Sequence, residues 1–244
     1  MKALIFAAGL GTRLKPLTDT LPKALVPIAG KPLLEHVILK LKASGFDEII
    51  INVHHFPDQI IDFLKLNNNF SIRIEVSDER NELLDTGGGI RKAAWFFDDR
   101  KPFLVHNVDI LSNVDLSALY NQHILTNSLA TLVVSQRDTF RYLLFDENKR
   151  LNGWVNEKTG ETKPAKLNEI DSYNKLAFSG IQVLSPAIFE LMEQFPIKFP
   201  IIDFYLTNAT SQIITGFIPT DYNMLDVGKL NVLDEAERFM TPNP

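Results

Sequence analysis

Arg13, Lys23 and Asp109 are the residues whose types and settings could serve phosphate chemistry. The apolar run Ala3–Ala8 leads into Gly9-Leu10-Gly11-Thr12-Arg13-Leu14, followed by Pro16, Pro22-Lys23 and Pro27. Glycines just past a buried strand let the backbone approach a ligand and turn its N–H groups towards anionic oxygens. Two cations along a proline-stiffened loop can clamp a polyphosphate from two sides. The competing reading is an ordinary strand-to-helix turn followed by solvated cations. A dinucleotide fingerprint needs a third glycine where Leu14 stands, and the Walker ending Gly-Lys-Ser/Thr is missing.

Asp109 closes the buried run Phe103-Leu104-Val105-His106-Asn107-Val108. A carboxylate at the end of a central strand can hold Mg²⁺ over a triphosphate, or simply cap a turn. Asp226, in Met224-Leu225-Asp226-Val227-Gly228, precedes a helical stretch and, read alone, can simply cap it. Asp85-Thr86-Gly87-Gly88-Gly89-Ile90 carries three glycines in a row. Their conformational cost calls for a steric reason, either a tight turn before a helix or close approach to a ligand. His106 lacks a partner signature and reads as a packed side chain.

The elements that must position these residues follow from hydrophobic period. Ala3–Ala8, Ile49–Val53, Ile72–Val76 and Phe103–Val105 read as strands. Leu33 to Leu41, Pro57–Leu66 and a segment near Ile90–Phe97 after the glycines read as helices. That alternation implies an α/β fold with a mostly parallel sheet and helices on both faces. The second half predicts a helix at Leu116–Thr126 and another from Ser185-Pro186 to about Phe195. Its strand candidates are Ala130–Ser135, Tyr142–Phe145, Leu151–Val155, Ala177–Leu184 and Ile213–Ile218. A polar stretch fills Asn156–Lys175, and an amphipathic helix over Lys229–Met240 closes the chain.

Composition narrows the chemistry. The 244 residues carry 25 basic and 30 acidic side chains, net −5, which argues against a nucleic-acid partner. The absence of cysteine excludes disulfides, thiolate metal sites and cysteine nucleophiles. No apolar run is long enough to span a membrane, and Ala3–Ala8 is too short for a secretory signal. The expectation is a cytoplasmic protein. No hexapeptide array is present to build a β-helix.

Residues 6–27, FAAGLGTRLKPLTDTLPKALVP, resemble the signature of sugar-1-phosphate nucleotidylyltransferases. Further matches run in family order to Asp226. The resemblance implies a Rossmann-like, glycosyltransferase-A-like nucleotidyltransferase fold over residues 1–244. Within it, 1–110 would be the nucleotide-binding half and 111–244 the sugar-binding half. It implies a nucleoside triphosphate and a sugar 1-phosphate as partners, and Mg²⁺ as cofactor on Asp109 and Asp226. It further implies that Arg13 handles the leaving pyrophosphate and that Lys23 contacts phosphate. Nucleotide contacts would come from Ala8, Gly9, Gly11, Thr12, Arg13, Glu82, Gly87 and Gly88. Asn107, Lys158, Ser179 and Gly180 would contact the sugar.

The spelling Asp-Thr-Gly-Gly-Gly-Ile is similar to the loop of N-acetylmuramate-1-phosphate uridylyltransferases, and Phe178-Ser179-Gly180-Ile181 points the same way. Mannose- and heptose-1-phosphate guanylyltransferases have a related loop. Glu82 would suit guanine if its carboxylate faced the base, because guanine offers adjacent N–H and NH₂ donors whereas uracil offers one N3–H. Departures from the pattern are Val108 for a glycine, Met224 for an aromatic and Lys229 for a threonine. Arg141 stands near a usual glycine, and Asn156-Glu157-Lys158 replaces Glu-Lys-Pro, with Lys158 one place offset. Two other classes compete. A regulatory nucleotide sensor without turnover would not need Arg13, Lys23, Asp109 and Asp226 together. A dinucleotide-dependent oxidoreductase fails at Leu14.

Overall fold

A computed structural model describes residues 1–165, 167 and 170–241. The elements run in chain order: β1 (Lys2–Phe6), β2 (Pro27–Ile28), β3 (Lys31–Pro32), α1 (Leu33–Ala43), β4 (Glu48–Val53), α2 (Pro57–Leu66), β5 (Arg73–Asp78), α3 (Asp85–Lys92), β6 (Phe103–Asn107), β7 (Ile110–Ser112) and α4 (Leu116–Thr126). Then come β8 (Ala130–Ser135), β9 (Arg141–Phe145), β10 (Leu151–Asn156), β11 (Glu161–Lys163), β12 (Asn174–Leu184), α5 (Ile188–Met192), α6 (Ile201–Asn208), β13 (Ile214–Phe217), β14 (Met224–Asp226) and α7 (Leu233–Met240).

The central sheet is of the α/β, Rossmann-like kind. Its path is β11-β10-β9-β12-β6-β1-β4-β5, with β8 attached to β12 and β13 to β8. The β6-β1-β4-β5 portion is parallel, as the apolar runs of the first half require. Around β12 the pairing to β6, β8 and β9 is antiparallel.

Two apolar layers cover the sheet. Ala3 and Ile5 of β1 face the layer holding α1, α2, α4 and Ala236 of α7. Leu4, between them, faces the layer built by Ile90, Ile188, Met192 and Phe204, from α3, α5 and α6. This alternation is the period of a strand covered on both sides. Among the described residues no helix is long and apolar enough to cross a membrane.

Several expected boundaries change. β1 stops at Phe6, leaving Ala7 and Ala8 to begin the loop. The three glycines lie inside α3 rather than in a loop ahead of it. The helix expected to reach Phe195 ends at Met192. The closing helix begins at Leu233, after a 3₁₀ turn at Leu230–Val232. The helix α6 and the short β7–β14 pair were not expected at all.

Candidate active site

A cleft of about 500 Å³ opens at the carboxyl ends of β1, β4 and β6. This is where open α/β sheets offer strand-end side chains and helix N-termini to a ligand. Ala8, Gly9, Gly11, Thr12, Arg13, Lys23, Asn107 and Asp109 all line it.

The N-terminal loop reaches this shape through Gly11, which sits at φ +65°. A side chain there would crowd Thr18 and the Lys23 stem, whose Cβ lies 3.2 Å from the added carbon. Thr18 Oγ1 and Leu14 N both donate to the Gly11 carbonyl, each at 2.8 Å. Gly9 differs, because a Cβ built there meets nothing within 4 Å. The first glycine therefore leaves space on the cleft side, and the second brings the loop back against itself.

Lys23 is largely buried, and its ammonium forms an ion pair with Asp109 Oδ2. Asp226 comes alongside through the β7–β14 pair, in which it is registered with Ile110. The Val227 amide donates to the Asp109 carbonyl at 2.8 Å. Arg13 and Asp226 converge at Gly228, where an added Cβ would lie 2.7 Å from Asp226 Oδ1 and 3.0 Å from an Arg13 Nη. Asp226 is open to solvent on one side. Desolvation by the surrounding protein nevertheless raises its pKa, and the negative charge of Asp109 adds to the shift; Lys23, Arg13 and Arg137 oppose it. Two carboxylates within each other's field form a donor set suited to a hard divalent cation.

On the sugar-side candidates, β12 carries a register shift between Phe178 and Gln182. Gly180 lies in it at φ +74°, and a Cβ there would come within 2.7 Å of Asn107 Nδ2. Ser179 beside it is buried, and its hydroxyl lacks a hydrogen-bond partner. The Ser112 and Tyr222 hydroxyls are also buried and unpaired; the three adjoin without reaching bonding geometry.

Glu82, Lys158, Gly87 and Gly88 stand apart from the cleft lining, as do Ser179, Gly180 and Asp226. Glu82 is exposed. Lys158 is also exposed, in the turn after β10, with its ammonium 5.9 Å from the Phe140 ring centroid. Gly87 and Gly88 are buried under the chain segment around Phe199: an added Cβ would overlap the Phe199 ring at Gly87 and the Ile197 carbonyl at Gly88. His106 is buried with Nε2 unpaired, and burial lowers its pKa to about 4.

The structure also brings in residues that the sequence did not single out. Glu79, 1% exposed, lines the cleft and accepts from Asn52 Nδ2 at 2.9 Å and from the Leu84 amide at 3.1 Å. Asn52 Oδ1 in turn accepts from the Ala7 amide at 2.8 Å, so the relay ties the first glycine loop to the start of α3. Asp85 adopts φ +62° at the cleft wall, a conformation that Asp tolerates better than most residues, and Lys198 joins from the opposite half of the chain. The only local signal for Glu79 was its place just after the fifth strand.

The strand-end cleft collects the cations Arg13, Lys23 and Lys198 with the carboxylates Glu79, Asp85 and Asp109, and Asp226 stands beside it, a charge pattern suited to handling phosphate. The nucleotidyl transferase family model matches residues 2–241. The chain belongs to that family, among its sugar-1-phosphate nucleotidylyltransferases, which are enzymes. It is 35% identical over 196 residues to N-acetylmuramate alpha-1-phosphate uridylyltransferase of Neisseria meningitidis serogroup B, covering 79% of each chain. It is 32% identical over 202 residues to mannose-1-phosphate guanylyltransferase 1 of Arabidopsis thaliana, covering 80% of this chain but only 53% of the relative. The solved structure of HddC from Yersinia pseudotuberculosis complexed with GMP-PN superposes with a TM-score of 0.79 at 25% identity, covering 98% of this chain and 99% of that one.

Proposed function

We propose that the protein transfers uridine monophosphate from UTP to N-acetylmuramate 1-phosphate, releasing pyrophosphate. The observation that carries the reading is the meeting of Arg13, Lys23 and Asp109 in one cleft, with Asp226 brought alongside by the β7–β14 pair. The likeness to the Neisseria uridylyltransferase supports the choice of uridine and muramate.

The sugar phosphate oxygen is the nucleophile, so the enzyme needs no general base. A phosphate oxygen attacks the α-phosphorus, and the bond to the β-phosphate bridge breaks as pyrophosphate departs. The work of the chain is to bring two anions together and disperse charge. In this reading, amides around Gly9 and Gly11 bind nucleotide phosphates while Arg13 and Lys23 neutralise the departing charge. Asp109 and Asp226 would hold Mg²⁺, which supplies Lewis-acid polarisation of phosphate oxygens when bound. Asn107, Ser179 and Gly180 face the sugar, and residues 1–244 act as a single nucleotidyltransferase domain.

A second reading, guanylyl transfer from GTP to mannose or heptose 1-phosphate, draws on the GMP-PN complex of HddC and the Arabidopsis guanylyltransferase. One assay separates them: pyrophosphate release with UTP or GTP crossed with muramate, mannose and heptose 1-phosphates. Fastest turnover with UTP and the muramate compound is the expected outcome. Preference for GTP overturns the uridine choice, and silence with every pair overturns the reading itself.

A further inference from the structure

The segment Phe195-Pro196-Ile197-Lys198-Phe199-Pro200 crosses α3 as a strap, and α3 is shaped to receive it. Arg91 clasps its entry: one Nη donates to the Met192 and Phe195 carbonyls, each at 2.9 Å, and the other to the Pro196 carbonyl at 2.6 Å. The same guanidinium lies 5.3 Å from the centroid of the buried Phe199 ring. At the exit, the Gly87 amide donates to the Phe199 carbonyl at 2.8 Å, and the Ile201 amide donates to Thr86 Oγ1 at 2.9 Å. Gly87 and Gly88 leave room for Phe199 and for the Ile197 carbonyl. Both ends and the middle of the strap are therefore fixed to one helix.

What the strap leaves unattached is Lys198. It is exposed, lines the cleft, and makes no hydrogen bond or ion pair among the described residues. The other cleft cations have carboxylates beside them, Lys23 on Asp109 and Arg13 next to Asp226. Lys198 comes from the half of the chain that carries Ser179 and Gly180, whereas Arg13 and Lys23 both come from the first loop. Lys158, the sequence candidate for a sugar-side cation, stands outside the cleft lining.

We propose that Lys198 binds the phosphate of the incoming sugar 1-phosphate and that Arg91 is a positioning residue acting through the strap. The inference rests on the nucleotidylyl-transfer reading. Joining two phosphate anions calls for positive charge on the side of each, and Lys198 supplies it on the second. A lysine ammonium on a flexible four-carbon stem finds one place only if its backbone is held, which is what Arg91, Thr86 and Gly87 do.

The test is initial-rate kinetics with the best substrate pair of the wild type, varying each substrate in turn. Lys198→Ala should raise KM for the sugar 1-phosphate at least ten-fold while leaving KM for the nucleotide within two-fold. Lys198→Arg should recover most of that loss. Arg91→Ala, in protein whose circular dichroism shows it folded, should give the same one-sided KM change. A Lys198→Ala enzyme with both KM values unchanged, or with the nucleotide KM raised instead, overturns the assignment of Lys198. A folded Arg91→Ala enzyme with normal sugar KM overturns the role of the strap. A wild type silent with every pair removes the underlying reading and this inference with it.

Discussion

Lys23 and Asp109, separated by 86 positions in the chain, meet as a partly buried ion pair at the carboxyl end of β6. The pair joins the N-terminal loop to the strand-end aspartate. Both residues therefore stand ready at the cleft with opposite charges matched, and Asp226 adds a second carboxylate in the field of the first. A substituted member of this group changes the charge its neighbours feel as well as its own chemistry.

Asp109→Asn should leave the fold intact and lower turnover by more than ten-fold. The asparagine keeps the shape and an acceptor for Lys23 but loses the anionic charge proposed to hold the metal. A folded variant that retains more than about a tenth of the wild-type rate, a loss under ~1.4 kcal/mol, would remove Asp109 from the reaction. Single-turnover rates with melting curves provide the measurement.

Arg13→Ala and Lys23→Ala should both damage catalysis, but their melting curves should part. Arg13 is exposed, so its loss should shift stability by about 0.5 kcal/mol or less. Lys23 is 8% exposed and neutralises Asp109, so its removal leaves a half-buried carboxylate without its cation and should lower the melting temperature visibly. Equal melts for the two variants would argue that the ion pair carries no weight in the free protein.

The first-half framework was legible because its signals are local. Continuous apolar runs gave β1, β4 and β6, and helical stripes gave α1 and α2, close to their observed limits. The glycine triplet misled because its causes are distant: the Phe199 ring and the Ile197 carbonyl of the strap pack where side chains would be at Gly87 and Gly88, and Glu79, Asn52 and Phe6 crowd Gly89, so glycines that look like a loop form a helix. Glu79 and Glu82 look alike in the sequence, yet only the fold buries the first beside Asn52. The β7–β14 pair is too short, at three residues a strand, to show a period. Lys198 was invisible for a similar reason, since nothing in its neighbourhood tells that Arg91 fixes the strap it rides on.

Gly9→Ala and Gly88→Ala should behave oppositely. At Gly9 the added methyl meets no protein atom within 4 Å, so the melt should hold within about 0.5 kcal/mol while the methyl intrudes on the cleft and slows turnover. At Gly88 the methyl would overlap the Ile197 backbone carbonyl, which has no side chain to swing away. Such overpacking costs about 1–3 kcal/mol. Thermal melts and initial rates on both variants check the contrast, and a stable Gly88→Ala would show that the strap yields easily.

Stability should fall as the pH is lowered from about 6.5 towards 4. His106 and His123 are both buried, and burial lowers each pKa to about 4. Above the unfolded value near 6.5 both states are neutral and stability is full. As pH drops below that value, the unfolded chain takes up protons that the folded chain refuses. The loss continues until about pH 4. Between pH 7 and 5 each histidine should cost on the order of 2 kcal/mol. His123 Nδ1 pairs with Thr131 Oγ1 at 2.9 Å, so His123→Gln retains a polar partner but cannot titrate. Urea midpoints at the two pH values should show roughly half the wild-type loss in this variant; an unchanged loss would mean His123 is not a source of it.

Nucleotide binding should depend on Glu79 rather than on Glu82. Glu82 is exposed and away from the cleft lining, so Glu82→Gln should leave the UTP-to-GTP ratio within two-fold. Glu79 accepts from both Asn52 Nδ2 and the Leu84 amide, and Asn52 cannot turn over without abandoning the Ala7 amide. In Glu79→Gln one carboxylate oxygen becomes an NH₂ group that faces a donor, so a buried N–H loses its acceptor. That loss costs about 1–3 kcal/mol and loosens the link between the glycine loop and α3. UTP should then bind several-fold more weakly. Competition of UTP against GTP on the wild type and both variants gives the answer, with UTP expected to win in the wild type. A ten-fold change of preference in Glu82→Gln, equivalent to about 1.4 kcal/mol, would return the base-reading role to the exposed glutamate.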